Sequence, residues 1–234
     1  MGAVWGRLGV VCGRYAYPDE DLVVTLLNID AVLGDRMLCS GDVRPTQQIR
    51  IVTEGDATSF SERKDGRRVL RSARWGLIPQ WTKAFDKTRL LINARAETLV
   101  SKPSFRASAQ ARRAVIPASG YYEWQPNPDG SKTPFFLDDP DQPAIGFAGV
   151  YDWWELPEGI SLPGAESGCV CSAAIITRPA TDSLGHIHDR MPVVIPSDMV
   201  DTWLDPRTTD ADEVDAILHA IPDPVLVPTP RQPG

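Results

Sequence analysis

The sequence predicts a single α+β domain, and three observations carry that expectation. The 234 residues suit one large domain or two small ones, and no linker divides them. Short apolar runs bounded by turn residues recur along the middle of the chain and read as strands. Helical patterns sit towards the ends, without the strict β–α alternation of a doubly wound parallel sheet. The composition, 42% hydrophobic and 24% charged, supports a full buried core. No internal repeat is visible, and no apolar run reaches the ~20 residues of a membrane helix.

Residues 18–33 predict a helix, because an acidic first turn leads into Leu22, Val23, Leu26 and Leu27 at helical spacing. Ile49 and Ile51 alternate in a short strand, and residues 68–77 form a strand candidate with alternating basic positions. Residues 111–118 and 121–125 read as strands around Ser119-Gly120. Asn127-Pro128-Asp129-Gly130 is a turn signal before residues 134–137, so this region predicts a hairpin. Residues 144–154 and 169–177 are apolar strands joined by a Pro/Gly loop at 156–168, and 191–195 is another strand. Ser197 is placed as the cap of a short helix reaching Leu204, and Asp210 opens a last helix through Ile221. The domain body is set at residues 12–226. The tail 227–234, with three prolines, is expected to be disordered.

The four cysteines, Cys12, Cys39, Cys169 and Cys171, show no disulfide framework. With His186, His188 and His219 they also lack the spacing of a zinc site, so reduced thiols in a cytoplasmic protein are the reading preferred. The formal charge of −7 argues against a general nucleic-acid binder. Its distribution argues the other way: residues 61–113 hold 14 basic and 4 acidic side chains, and the remainder 10 and 27. From charge alone, a basic face and a set of scattered basic residues are equally good readings.

Five runs place polar residues in apolar or turn context. They are Cys12-Gly13-Arg14-Tyr15, Trp75-Gly76-Leu77-Ile78-Pro79-Gln80-Trp81, Ile92-Asn93-Ala94-Arg95-Ala96-Glu97-Thr98, Ile116-Pro117-Ala118-Ser119-Gly120-Tyr121-Tyr122-Glu123-Trp124 and Ile187-His188-Asp189-Arg190-Met191-Pro192. Taken singly, each has a plain structural explanation. A cysteine near a chain start is usually a small buried residue, Asn93 suits a cap or turn, and Glu123, facing away from Tyr122 and Trp124, suits a solvated strand face.

Together and in this order, the five runs resemble the SOS response-associated peptidase (SRAP) family of abasic-site-processing proteins, from Cys12 to about Pro206. The resemblance implies a mixed, largely antiparallel, barrel-like sheet with peripheral helices. It also implies capture of the open-chain aldehyde of an abasic site in single-stranded DNA. Cys12, as the mature first residue, would form a Schiff base through its α-amine and close a thiazolidine ring through its thiol. Asn93 would orient the sugar or imine, Glu123 would act as general acid/base, and His188 would promote opening of the sugar. Arg14, Arg95 and Arg190 match positions that hold DNA phosphates, and Thr177 matches a further backbone contact. Pro45 and Trp81 lie in segments that brace or stack on neighbouring bases. Abasic-site lyase activity and reversal of the crosslink belong to the same imine chemistry. The resemblance calls for no metal or organic cofactor. It implies a monomer that works on single-stranded DNA without a membrane, cytoplasmic and on the nucleoid when bound. Three positions depart from the pattern: Asp42-Val43-Arg44-Pro45 replaces the usual Asn-x-Ala-Pro, Ala114 replaces a cysteine, and Ala180-Thr181 replaces Ala-Asn.

The serious departure is the eleven-residue leader before Cys12. Either translation starts at Val11, whose codon can serve as a bacterial start, or the leader is cut away, or it persists and the function is altered. The first account is preferred. A bacterial lipoprotein signal would want a small residue where Val11 stands. Two rival functions remain in view: a cysteine or N-terminal-nucleophile peptidase, self-processing included, and a non-covalent module that binds damaged single-stranded DNA.

Overall fold

Fifteen strands account for most of the regular structure among the described residues. They are β1 (Tyr15–Tyr17), β2 (Ala31–Val32), β3 (Ser40–Val43), β4 (Gln48–Thr58), β5 (Ser61–Trp75), β6 (Asn93–Arg95), β7 (Arg113–Ala118), β8 (Gly120–Pro126), β9 (Lys132–Asp138), β10 (Ile145–Glu155), β11 (Ala165–Glu166), β12 (Cys169–Pro179), β13 (Arg190–Pro192), β14 (Val194–Ile195) and β15 (Val227–Pro230). Five helices accompany them: α1 (Glu20–Leu26), α2 (Arg106–Ala111), α3 (Asp182–Gly185), α4 (Val200–Leu204) and α5 (Ala211–Ala220). The structure is a computed structural model that describes residues 12–58, 61–86, 90–166, 168–180 and 182–233. The leader, residues 1–11, lies outside the described residues.

A closed barrel forms the centre. β12 pairs with β10, β10 with β7, β7 with β4 and β4 with β5, all antiparallel. A parallel contact of β5 with β12, at Arg74 opposite Ser172 and Trp75 opposite Ala173, completes the ring. Closure explains the unbroken burial of β12 from Cys169 to Thr177: both of its faces meet protein, so polar alternation is not needed. A second sheet, in the order β15-β9-β8-β1-β3, packs against this barrel. Tyr15 of β1 sits edge-on to Trp75 at 5.3 Å and to Phe147 at 6.0 Å, and Tyr121 of β8 meets Phe147 at 6.0 Å, so aromatic rings join the layers. The chain steps from β7 in the barrel to β8 in the second sheet across Ser119 alone.

The single α+β domain and barrel-like mixed sheet stand as expected, as does the hairpin of β8 and β9 around Asn127–Gly130. Three local expectations are corrected. The first helix ends at Leu26 rather than Leu33, because Asn28 turns the backbone left-handed (φ 49°) and Ala31–Val32 then pairs with β5. Ser197 begins a short 3₁₀ turn before α4 and makes no side-chain cap bond, whereas Asp210 caps α5 through the amides of Asp212 and Glu213. The first half of the tail expected to be disordered, Val227–Pro230, instead pairs with β9 as an edge strand. An edge strand tolerates Pro228 and Pro230 because half of its backbone groups face away from the sheet.

Among the described residues, several arginines of the basic stretch are covered or paired. Arg71, Arg74 and Arg113 are buried, and Arg68 pairs with Glu54 and Asp201. Arg113 donates to the carbonyls of Ala109, Trp203, Asp205 and Thr208 and so ties the ends of α2 and α4 to the barrel. Arg95, Lys102 and Arg106 remain exposed.

Gly120 opens the strand that carries Glu123, and no side chain fits there. A β-carbon would lie 2.6 Å from the Leu137 carbonyl oxygen and 2.6 Å from the ring of Phe136. Gly120→Ala is expected to cost about 1–3 kcal/mol through this overpacking, which a thermal melt should read as a loss of several degrees, at about 2–4 °C per kcal/mol for a chain of this size.

Candidate active site

β1 places the cysteine. Tyr15 pairs with Tyr121, and the Arg14 carbonyl accepts from the Tyr122 amide at 2.9 Å, so the chain ahead of β1 runs alongside Glu123. The Cys12 nitrogen donates to Glu123 Oε1 at 2.5 Å, with both residues buried. Glu123 is therefore not the solvated strand glutamate that its local pattern allows; it is 3% exposed. Cys12 holds φ 46°, a left-handed conformation that costs a residue with a β-carbon roughly 1–2 kcal/mol.

Burial dominates the electrostatics here. It raises the Glu123 carboxyl to about 8, against the hydrogen bonds from the Cys12 and Trp124 amides; Asp189 adds to the rise and Lys132 opposes it. Burial, aided by the Glu123 charge, also pushes the Cys12 thiol well above its ordinary value. Two buried phenols, Tyr15 and Tyr121, are likewise driven up by burial and by the charge of Cys12. Neither phenol was singled out for chemistry from the sequence, although Tyr15 closes the Cys-Gly-Arg-Tyr run.

The second arm belongs to the barrel. β6 lies parallel to β12, with Asn93 opposite Ile175 and Arg95 opposite Thr177, and β13 flanks β12 on its other side, with Met191 opposite Arg178. His188 precedes β13. Its Nδ1 lies 2.8 Å from Asp189 Oδ1 and 3.1 Å from the Arg190 amide. These two contacts belong to different states, because Nδ1 accepts from the amide only when bare and reaches the carboxylate as a donor only when protonated. Burial lowers the His188 pKa, and Asp189 opposes that shift. The two arms meet: Gln125 of β8 donates to the His186 carbonyl at 3.2 Å, and Asp189 and Lys132 act on both Glu123 and His188.

Two of the arginines matched to phosphates already hold carboxylates. Arg14 Nε lies 2.8 Å from Asp42 Oδ1, Asp42 Oδ2 accepts from Arg44, and the Arg14 guanidinium stacks 5.6 Å from the Trp124 ring. Arg190 grips Glu97 with both terminal nitrogens, and one of these also donates to the Thr177 carbonyl at 2.7 Å. Thr177 itself is 2% exposed, so it reaches the surface through Arg190. The Arg190 hydrogen bond also holds the Glu97 carboxyl below the usual carboxylate range. Neither carboxylate was assigned a role from the sequence, although Glu97 stands in one of the five runs and Asp42 opens the departure at Asp42-Val43-Arg44-Pro45. Arg95 is exposed, Pro45 is half-buried, and Trp81 is 64% exposed on the turn after Gly76.

The site thus joins a buried cysteine to a buried carboxyl through the cysteine's nitrogen. The family model described as SOS response associated peptidase (SRAP) matches residues 11–230, and the chain belongs to that family. It is 34% identical over 212 residues to "Abasic site processing protein YoqW" of Bacillus subtilis, covering 89% of this chain and 87% of the relative. It is 32% identical over 161 residues to "Abasic site processing protein HMCES" of Gallus gallus, covering 59% and 46%. Among solved structures, one Bordetella bronchiseptica protein superposes with a TM-score of 0.72 at 21% identity, over 94% of this chain and all of that one. A Bacteroides thetaiotaomicron protein superposes with 0.70 at 24%, over 88% and 86%. At those identities the structures confirm the fold alone.

The Glu123 shift fixes a pH dependence. An unfolded glutamate titrates near ~4.3, and the folded one at about 8. Between those values the native state keeps a proton that the unfolded chain has released. Stability from this group is therefore full at about pH 4 and is lost as the pH rises to about 8. In a chain that keeps Cys12 in a peptide bond, Glu123→Gln, which retains an acceptor for the Cys12 nitrogen, should flatten this loss. Urea midpoints between pH 5 and 8 should fall less in the variant, against a limiting slope of about 1.4 kcal/mol per pH unit.

Proposed function

We propose that this chain processes abasic sites in single-stranded DNA by covalent capture at Cys12, in a form that begins with that residue. The carrying observation is the Cys12 nitrogen held 2.5 Å from the buried Glu123 carboxyl. While Val11 is attached, that nitrogen is an amide and has no nucleophilic lone pair. With Val11 gone, it is an α-amine of pKa about 7.7–8.0, of which roughly a tenth is neutral at pH 7. The strain at Cys12 points the same way, since a first residue has no φ to hold.

The reaction follows from the residues. His188 protonates the ring oxygen of the closed sugar and exposes its aldehyde. The amine adds to the carbonyl carbon. Glu123 takes a proton from the nitrogen and returns one to the departing hydroxyl, which leaves as water and yields the imine. The carboxyl and the free amine, held in contact, titrate as a coupled pair and can pass a proton between them. The Cys12 sulfur then bonds to the imine carbon while its proton passes to nitrogen, closing a thiazolidine. This step is intramolecular and gains a large effective molarity. Reversal of the steps releases the DNA, and β-elimination from the imine would cleave the strand. Asn93, on β6, orients the sugar or imine.

The raised thiol pKa weighs against the peptidase reading. A cysteine peptidase needs a thiolate, commonly beside a cationic histidine, whereas burial and Glu123 keep this sulfur protonated. Ring closure uses the thiol with its proton. The relatives' printed role, abasic site processing, supports the same reading.

Incubation with an abasic single-stranded oligonucleotide should yield an adduct that survives denaturation and is absent from Cys12→Ala. Glu123→Gln should slow both its formation and its reversal by about 10²-fold or more. Intact mass of the reactive species should show Cys12 as the first residue. An adduct on a chain that retains Val11, or non-covalent binding unchanged by Cys12→Ala, defeats the thiazolidine route.

A further inference from the structure

Alternation places three side chains of the small sheet on one face. Tyr121 and Glu123 stand two residues apart on β8, and Tyr15 of β1 lies directly opposite Tyr121. The rings agree with this, since Tyr15 and Tyr121 both meet Phe147 of the barrel at 6.0 Å. The Cys12 nitrogen reaches the same face through its bond to Glu123. Tyr17, two residues beyond Tyr15, shows how a buried phenol on β1 is held. Its hydroxyl donates to Glu20 Oε2 at 3.3 Å, and that carboxylate lies 3.0 Å from Arg50 Nε. The Tyr15 hydroxyl, by contrast, is buried with no hydrogen-bond partner among the described residues. A buried hydroxyl left unpaired costs stability, so its presence calls for a reason. A phenylalanine would fill the same space between Trp75, 5.3 Å away, and Phe147 without that cost.

Burial, with the charges of Tyr17 and Cys12, keeps the Tyr15 phenol un-ionised. It can therefore give up its proton only as it takes another, and a phenol oxygen can do both at once. Ring closure at Cys12 has a use for such a group. Sulfur must lose a proton and nitrogen must gain one, yet the two atoms are tied through Cβ and Cα of one residue. That tether bends a direct S–H···N path far from the straight geometry that a hydrogen bond prefers. We propose that Tyr15 is a further catalytic residue, which relays the proton leaving the Cys12 sulfur to the Cys12 nitrogen as the thiazolidine closes. A sulfur lone pair bonds to the imine carbon, and the C=N π pair withdraws to nitrogen. The S–H proton passes to the phenol oxygen, and the phenol's own proton passes to nitrogen. The phenol is restored and no other reagent is consumed. The proposal rests on the covalent reading above and deepens it.

The test uses an abasic single-stranded oligonucleotide and the form that begins at Cys12, and it compares Tyr15→Phe with the parent. Borohydride reduces the imine to an amine that carries two extra hydrogens and leaves the Cys12 thiol open to alkylation; the closed ring offers no such thiol. Intact mass after a borohydride pulse and alkylation therefore separates the two adducts at each time. With borohydride present from the start, total capture by Tyr15→Phe should stay within about two-fold of the parent, because the nitrogen still adds first. With a late pulse, conversion of imine to ring should be slower by about ten-fold or more, and strand cleavage from the longer-lived imine should rise. The urea midpoint of Tyr15→Phe should equal or exceed that of the parent, since an unpaired hydroxyl has been removed. Tyr17→Phe, which loses a made hydrogen bond, should lower the midpoint and keep the parent's ratio of imine to ring. An unchanged ratio in Tyr15→Phe, a lowered midpoint with a loss of total capture, or the same change of ratio in Tyr17→Phe overturns the relay. A parent protein that captures nothing overturns the covalent reading and the relay with it, whereas a capturing parent matched by Tyr15→Phe overturns the relay alone.

Discussion

The site depends on one contact made out of water: a carboxyl held against the nitrogen of Cys12. In bulk solvent a glutamate at this distance would be ionised near pH 7 and screened. Here burial keeps it protonated to about pH 8, so it can both give and take a proton at neutrality. Several features of the fold serve that contact. The step across Ser119 carries β8 out of the barrel, β1 runs beside it, and Tyr15 and Tyr121 wall the site off with rings that also weld the small sheet to Phe147.

The arginines follow a different logic. The two that the resemblance matches to phosphates, Arg14 and Arg190, are each held by a carboxylate. Asp42 takes the Nε edge of Arg14. Glu97 takes the end of Arg190, so the two carboxylates leave different parts of the fork open. Glu97, in the turn just after β6, and Arg190, in β13, also tie these segments together, and the segments carry or border Asn93 and His188. Whatever the pair does toward a ligand, it fixes the spacing of the two segments.

Local signals carried much of the fold. The turn at Asn127–Gly130, the apolar runs of β10 and β12, and the Asp210 cap are each written in a few adjacent residues. What could not be read locally was closure, because the pairing of Arg74 and Trp75 with Ser172 and Ala173 joins segments about a hundred residues apart. The same distance hid the fate of the basic stretch. Arg71, Arg74 and Arg113 look like surface charge until the barrel wraps around them. Cys12, Glu123, Asn93 and His188 were legible as members of ordered runs and not from their own neighbourhoods. Glu123 shows why: alternation with Tyr122 and Trp124 says which face it occupies but not what covers that face.

In the reaction proposed above, the paired chemistry of Cys12 would also order the events. Its thiol, protonated and buried, is a poor first nucleophile, and a thiohemiacetal formed by sulfur alone would reverse readily. The nitrogen has an acid/base partner in contact, so it acts first. Once the imine exists, its carbon is a stronger electrophile than the aldehyde and its nitrogen is a base within reach of the sulfur's proton. The raised thiol pKa, a handicap for hydrolysis of a peptide, then matters little, because the proton that must leave sulfur is the one that nitrogen needs. On that proposal the site would favour capture of an aldehyde over attack on an amide, with the two heteroatoms of a single residue.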